Sequence, residues 1–371
     1  EVKASGNCGC AGKSERSVML YLLQNERPVK RGKSSGTKVE VVDHMNECGR
    51  CHSRALKKTE IATEITMNAL TPLAVLTDEL YRALPESPHP DIQSKPGNGR
   101  KLLSFYDSRQ GAARFAAFVQ DVVNQQAYRR IIRESVTSAS TETHWPDLER
   151  IAEICLELAL AYRVAHNDPD IGQGDLPRNS QYLNQNQRGR IVRHMRKQIL
   201  AEITTQLRSR QSLESLGLMS VQYSEADRIP DFSHLAEKLN LSVAETRTLI
   251  EYLLDDLRRG KVVTLPEGVL RDDPIFGRNK FSPRLVRQDA REYENAWIGK
   301  TPRHQRRQLI SKILRYKGLR DDEAAITQAL NDILDWLIDS SHILDASRPA
   351  DGYQVRHDSL FFLANTQWYR C

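Results

Sequence analysis

Four of the six cysteines fall in two close pairs, Cys8-x-Cys10 and Cys48-x-x-Cys51, and each pair can turn two thiolates toward one tetrahedral ion. Gly9 and Gly49 give the backbone the freedom that a tight knuckle needs. This is the chemistry of a structural Zn²⁺ site, with four unrelated thiols or two disulfides as the alternatives. The Cys-x-Cys half is tighter than the usual spacing, and His44 and His52 flank the second pair either as substitute ligands or as bystanders. A second chemistry is written around Arg109, where an apolar run ends and a helical pattern begins. Backbone N–H groups, the positive end of a helix dipole and a guanidinium together suit a phosphate. A third group, Arg188, Arg190, Arg193, His194, Arg196 and Lys197, opens a long helix. Basic residues at a helix start oppose its dipole and so ask for another reason. Phosphate contact by Arg190, Arg193 and Lys197 is one reading and a solvated face is the other.

The elements that must position these groups follow from periodicity and punctuation. Leu102, Leu103, Phe105 and Tyr106 make a run too short for a helix, bounded by Pro96, Gly97 and Gly99, and read as a strand. Asp107 stands three residues before Gln110, the spacing of a capping box. Ala112, Phe115, Ala116, Val119, Val122 and Val123 then recur at helical spacing, so a helix from 109 to about 135 lays one apolar stripe against a sheet. Upstream, residues 54–84 read as helical with a break at Pro72, and residues 85–99 as a loop rich in proline and glycine. Residues 27–38 form a basic loop that is either a phosphate contact or a solvated face. Downstream come a polar linker at 135–144, a helix at 146–166 with Cys155 as a small buried hydrophobe, a loop at 167–187, and the basic helix with its stripe Ile191, Met195, Ile199, Ile203 and Leu207.

Residues 232–265 read as a helix, a short turn with Ser242 as N-cap, a longer helix ending at Gly260, and an apolar strand. That is a helix-turn-helix with a wing. The start of its second helix, where DNA-binding versions carry base-reading residues, offers Ala244, Glu245, Arg247 and Thr248. Only one of these is basic, so protein packing suits the surface at least as well as base readout. The plan recurs at 303–363, where Arg303, Arg306 and Arg307 precede an apolar helix, Trp336 and Leu337 mark another, and strands follow the Gly352 turn.

The stretch from Ser104 to Phe115, Ser-Phe-Tyr-Asp-Ser-Arg-Gln-Gly-Ala-Ala-Arg-Phe, resembles the fourth motif of superfamily 2 helicases. The form is that of the large helicase-like proteins of bacterial anti-phage systems such as DISARM and Druantia. The stretches Leu73 to Tyr81 and Arg210 to Leu218 stand in the same order relative to it. The resemblance implies that residues from about 60 to 130 belong to the second RecA-like domain of a DNA motor, with Ser108, Arg109 and Gln110 near the nucleic-acid backbone. It also implies a cytosolic chain, which argues against disulfides. A complete motor further needs a phosphate-binding loop, an acidic Mg²⁺-holding motif and an arginine finger. None is found in the sequence. The one decoy, Asn7 to Ser14, has Asn where the phosphate-binding loop requires Gly, and no apolar strand before it. ATP and Mg²⁺ are therefore expected only in a longer parent, and this segment alone is expected to be inactive.

The fold expected is mixed and mainly α: a zinc-knuckle segment at 1–60, part of a RecA-like α/β domain at 61–140, a helical insert at 141–225, a winged helix at 226–275 and a second winged-helix-like segment at 300–371. Hydrophobic residues at 39% and charged residues at 27% exclude a wholly disordered chain. A net charge of +6 does not by itself establish nucleic-acid binding, so clustering must decide. No apolar stretch approaches a membrane span, and the expected location is the cytoplasm. The expected role is a DNA-gripping fragment of an ATP-dependent helicase or translocase in anti-phage defence. Its partners would be DNA, the remaining helicase domains and other defence subunits. The alternative is a non-enzymatic DNA-binding or protein-docking module.

Overall fold

Local hydrogen-bonding signals place the helices, and long-range pairing joins them. The computed structural model describes residues 25–29, 38–42, 70–93, 96–102, 109–141, 144–165, 171, 176–205, 212–225, 228–276, 283–290, 294–301, 304–339, 343–347 and 349–365. Two compact units result, one of residues 1–105 with 369–371 and one of residues 106–368. The described elements are mainly helical, with a few short strands.

In the first unit, β1 (Asn25–Val29) and β2 (Lys38–Val42) pair antiparallel, with Asn25 opposite Val42 and Val29 opposite Lys38. Both ends of the expected basic loop are thus strand. Helix α1 (Leu70–Ala83) contains Pro72 rather than breaking at it. Proline is tolerated in a first turn because its missing N–H has no intrahelical partner to lose. The stretch after α1 carries the short α2 (Pro90–Gln93) and a 3₁₀ turn at Pro96–Gly99. Arg100 draws it together: its Nε donates to the Leu84 carbonyl at 2.7 Å and its Nη2 to Glu86 at 3.1 Å. Gly99 is required there, since its φ is +75° and a Cβ would lie 2.4 Å from Ile92 Cγ2. Leu102, the first residue of the expected strand, is irregular and exposed. The rest of that strand, Asp107, Ser108 and the four cysteines of the expected zinc site lie outside the described residues.

In the second unit, α3 (Arg109–Ala139), α4 (Leu148–Ala161) and α5 (Gln185–Ile203) pack on one another. Tyr128, Ile131, Ile132, Ile151, Leu156 and Ile199 are among the residues they bury. Helix α3 extends through the residues expected to begin a polar linker. Its hydroxyls turn inward on the helix: Ser135 Oγ donates to the Ile131 carbonyl at 2.8 Å and Thr137 Oγ1 to the Arg133 carbonyl at 2.8 Å. Such back-bonding satisfies the side chains without ending the helix. Among the described residues, α3 packs on helices and one short strand rather than on a parallel sheet. That strand is β8 (Phe361–Ala364), which pairs antiparallel with β3 (Met219–Gln222).

Two helix pairs complete the unit. Helices α6 (Ser233–Leu239) and α7 (Val243–Arg259) meet at Ser242, whose side chain and that of Glu245 form both arms of a capping box, and α7 ends at Gly260. Helices α8 (Gln305–Tyr316) and α9 (Glu323–Asp339) form the second pair. The Phe232 and Trp336 rings stack 4.9 Å apart between the pairs. The strands are shared as well. Residues 262–264 after α7 bond to Val355, with Thr264 N donating to its carbonyl at 2.8 Å and Val355 N donating to Val262 at 3.0 Å. Val355 belongs to β7 (Gln354–Val355), which pairs antiparallel with β6 (Leu344–Asp345) after α9. Leu285 in β4 (Arg284–Val286) pairs with Tyr353, and β4 runs parallel to β5 (Glu294–Ala296). One apolar core runs from Tyr128 to Phe362 across the positions where the sequence suggested boundaries.

Candidate nucleic-acid interface

Helix α5 starts with a capping box: Asn184 Oδ1 accepts from Gln187 N at 2.8 Å, and Gln187 Oε1 accepts from Asn184 N at 3.0 Å. Its inner face buries Ile191, Val192, Met195, Ile199, Leu200 and Ile203. The opposite face carries the basic residues other than His194, which is buried, and α4 meets several of them with acids. Arg188 pairs with Glu153, and Arg196 Nε donates to Glu149 at 2.9 Å. Glu149 and Glu153 stand one turn apart on α4, so part of the basic start of α5 is a helix-to-helix charge match. Lys197, expected to touch phosphate, is committed elsewhere: its Nζ lies 2.9 Å from Asp273, and both side chains are mostly buried.

Arg190 and Arg193 differ from these neighbours. Both are exposed, and neither makes an ion pair with an acid among the described residues. The Arg193 guanidinium lies along the loop at Gly268, where φ is +77° and a Cβ would come within 2.6 Å of Arg193 Nε. The loop that holds Lys197 through Asp273 therefore also supports Arg193 without neutralising it.

Arg109 and Gln110 are exposed in the first turn of α3. The structure does not bring them to the α5 cluster. Tyr128 of α3 lies level with His194 of α5, the ring centroids being 5.3 Å apart. Nineteen residues of helix from 109 to 128 place Arg109 roughly 28 Å along the axis from that level. The two expected phosphate clusters are thus separate surfaces of one unit.

The start of α7 is not a free base-reading surface. Helix α8 runs antiparallel beside α7, held by Arg306 to Asp256 at 2.8 Å near one end and by Lys317 to Glu245 at 2.9 Å at the other. Lys317, with the Ser242 backbone and side chain, holds the Glu245 carboxyl down at about 2. Arg247, the one cation expected there, is paired with Glu251 at 2.7 Å.

A groove of about 600 Å³ lies between residues 223–230 and 343–361, lined in part by Ile229, Ile343 and Phe361. Its arginines are paired, Arg228 with Glu225 and Arg356 with Asp358. Among the described residues no cluster of three or more His, Cys, Asp or Glu is arranged to hold a metal ion, and no helix is long and apolar enough to cross a membrane.

Sequence reasoning passed over Tyr182 and Gly189, which flank the start of α5 and are both exposed. The available signal was a glycine set between Arg188 and Arg190 inside a helix, where glycine is unfavourable. Comparison of the chain with family models, curated proteins and solved structures finds no match.

Proposed function

We propose that this chain grips the sugar–phosphate backbone of DNA as part of a helicase- or translocase-like protein. The observation that carries the reading is Arg190 and Arg193, two exposed cations left unneutralised on a helix whose Arg188, Arg196 and Lys197 are each matched by an acid. Positioning contacts of this kind fix a protein on nucleic acid without reading sequence. The test is DNA binding by the full chain at two salt concentrations. The R190A/R193A double variant should bind more weakly, and its salt slope should fall by about 1.5 to 2, close to one unit per lost phosphate contact. Unchanged affinity and slope would overturn the reading.

In this proposal Ser108, Arg109 and Gln110 form a second backbone contact, on the strength of the helicase-like motif around them. The segment around that motif is part of a RecA-like domain, and 226–275 and 300–371 act as a winged-helix insert. Cys8, Cys10, Cys48 and Cys51 hold a structural Zn²⁺, and C48S should lower zinc content if they do. ATP and Mg²⁺ act in the remaining helicase domains, and the setting is cytoplasmic anti-phage defence alongside other subunits.

A protein-docking role for the first winged helix is favoured by one specific observation. Its second helix is tied at the start to a neighbouring helix through Lys317 and Glu245 rather than presenting free cations.

A further inference from the structure

Resting on the reading of α5 as a backbone grip, we infer that the exposed surface from Tyr182 through Gly189 to Arg193 receives a single-stranded nucleic acid. Tyr182 is the stacking platform for an unpaired base, and Gly189 is the place where the strand comes against the helix. Tyr182 is 76% exposed and closes a 3₁₀ turn (Ser180–Tyr182) two residues before the Asn184 cap. That turn and the first turns of α5 are pinned to the same helix: Ser180 bonds Glu157 of α4, and Arg188 pairs with Glu153 one turn away. The aromatic ring and the cations of α5 therefore project from one fixed base.

Gly189 is the second, independent observation. It lies inside α5, where glycine costs helix stability relative to alanine. No neighbour requires it, because a Cβ there would meet nothing within 4 Å, and its backbone angle is one that any residue adopts. What glycine provides is a bare patch of backbone between Arg188 and Arg190. A sugar–phosphate strand can approach such a patch closely, with Arg190 beside it and Arg193 one turn on. The amides of Gln187 and Asn184 are already taken by the capping box, so neither of these two is offered to the strand.

An exposed aromatic held on the same base as unneutralised arginines is a combination that single-strand binders use, since stacking requires a base not already stacked in a duplex. The surface thus selects an unpaired strand, while the arginines alone would serve single and double strands alike.

The experiment measures binding of the full chain to a labelled oligothymidylate and to a duplex of the same length, by fluorescence anisotropy, with melting temperature recorded in parallel. Y182A should weaken single-strand binding about fivefold or more, as expected for loss of one base stack, and Y182F should restore it. Duplex binding should change little. G189A should raise the melting temperature while weakening single-strand binding. If Y182A and G189A leave single-strand affinity unchanged while R190A/R193A lowers binding to both forms, the stacking surface is overturned and the backbone grip stands. If the unsubstituted chain binds neither form, both readings fall.

Discussion

Arg258 is fully buried in α7, and its guanidinium can stay charged there only because every direction it points in is occupied. It donates to the Ile203 carbonyl at the end of α5, from Nε to Tyr223 at 2.9 Å, and from Nη2 to Glu214 and Asp255 at 2.7 Å each. Burial opposes its charge, but Tyr223, Glu214 and Asp255 more than offset that and raise its pKa. Removing one partner of such a buried set leaves the others unpaired, so R258A should cost about 3–5 kcal/mol. Chemical denaturation is the measurement; a loss below about 1 kcal/mol would mean that the network is not holding α5 to α7. Cys155 shows the opposite use of burial. Its thiol is pushed up to about 12 by desolvation, in spite of a hydrogen bond with Ser135, which fits a packing residue and not a nucleophile.

At the scale of elements, caps and side-chain back-bonds decide where the helices start and stop. The capping box of α7 uses Ser242 and Glu245, and the same Glu245 receives Lys317 from α8. Replacing Ser242 with Ala removes the acceptor for the Glu245 N–H and should cost about 1 kcal/mol, seen as a lower denaturation midpoint with an unchanged slope. An additional loss in S242A beyond that in a K317A background would show that cap and ion pair act together. Helix α3 carries the complementary lesson: serines and threonines near its end bond carbonyls one turn back, so a stretch with the composition of a linker remains helical.

At the scale of the molecule, the second unit depends on groups far apart in the chain meeting in one core. His357 is an example: its backbone N–H donates to Thr264 Oγ1 at 2.9 Å and its Nδ1 lies 2.7 Å from the same hydroxyl, across the strand junction of the two helix pairs. Burial lowers its pKa, countered by Asp358 and Glu149, and Arg196 and Arg356 push it further down. His304 is lowered too, by burial and then by Arg306. Histidines with depressed folded values stabilise the neutral state, so stability is complete above the unfolded value of about 6.5 and is lost as pH falls through the folded values. The carboxyls of Asp321, Asp322, Asp345 and Asp358 are lowered by their hydrogen bonds, and their contribution disappears below about pH 4. Melting temperature against pH should therefore fall in two stages, and H357Q should shrink the first stage only. A flat profile between pH 7 and 5 would contradict this.

The sequence by itself determined the helices and their edges wherever the cause was local. Ser242, Gly260 and the 3.6-residue stripe of α7 announce a helix because an N-cap, a C-cap and an apolar face all act within a few residues of one another. The buried role of Cys155 was legible for the same reason, from its place on the apolar stripe of α4. Only the tertiary structure decided which charges are free. Lys197 and Arg190 look alike in sequence, yet Lys197 meets Asp273 from a distant loop and Arg190 meets no acid among the described residues. The sharing of Val355 between the strands of two helix pairs was likewise hidden. Caps and periodicity are short-range and written in neighbouring residues. Charge neutralisation and strand pairing depend on which distant segments the core brings together, and no local spacing records that.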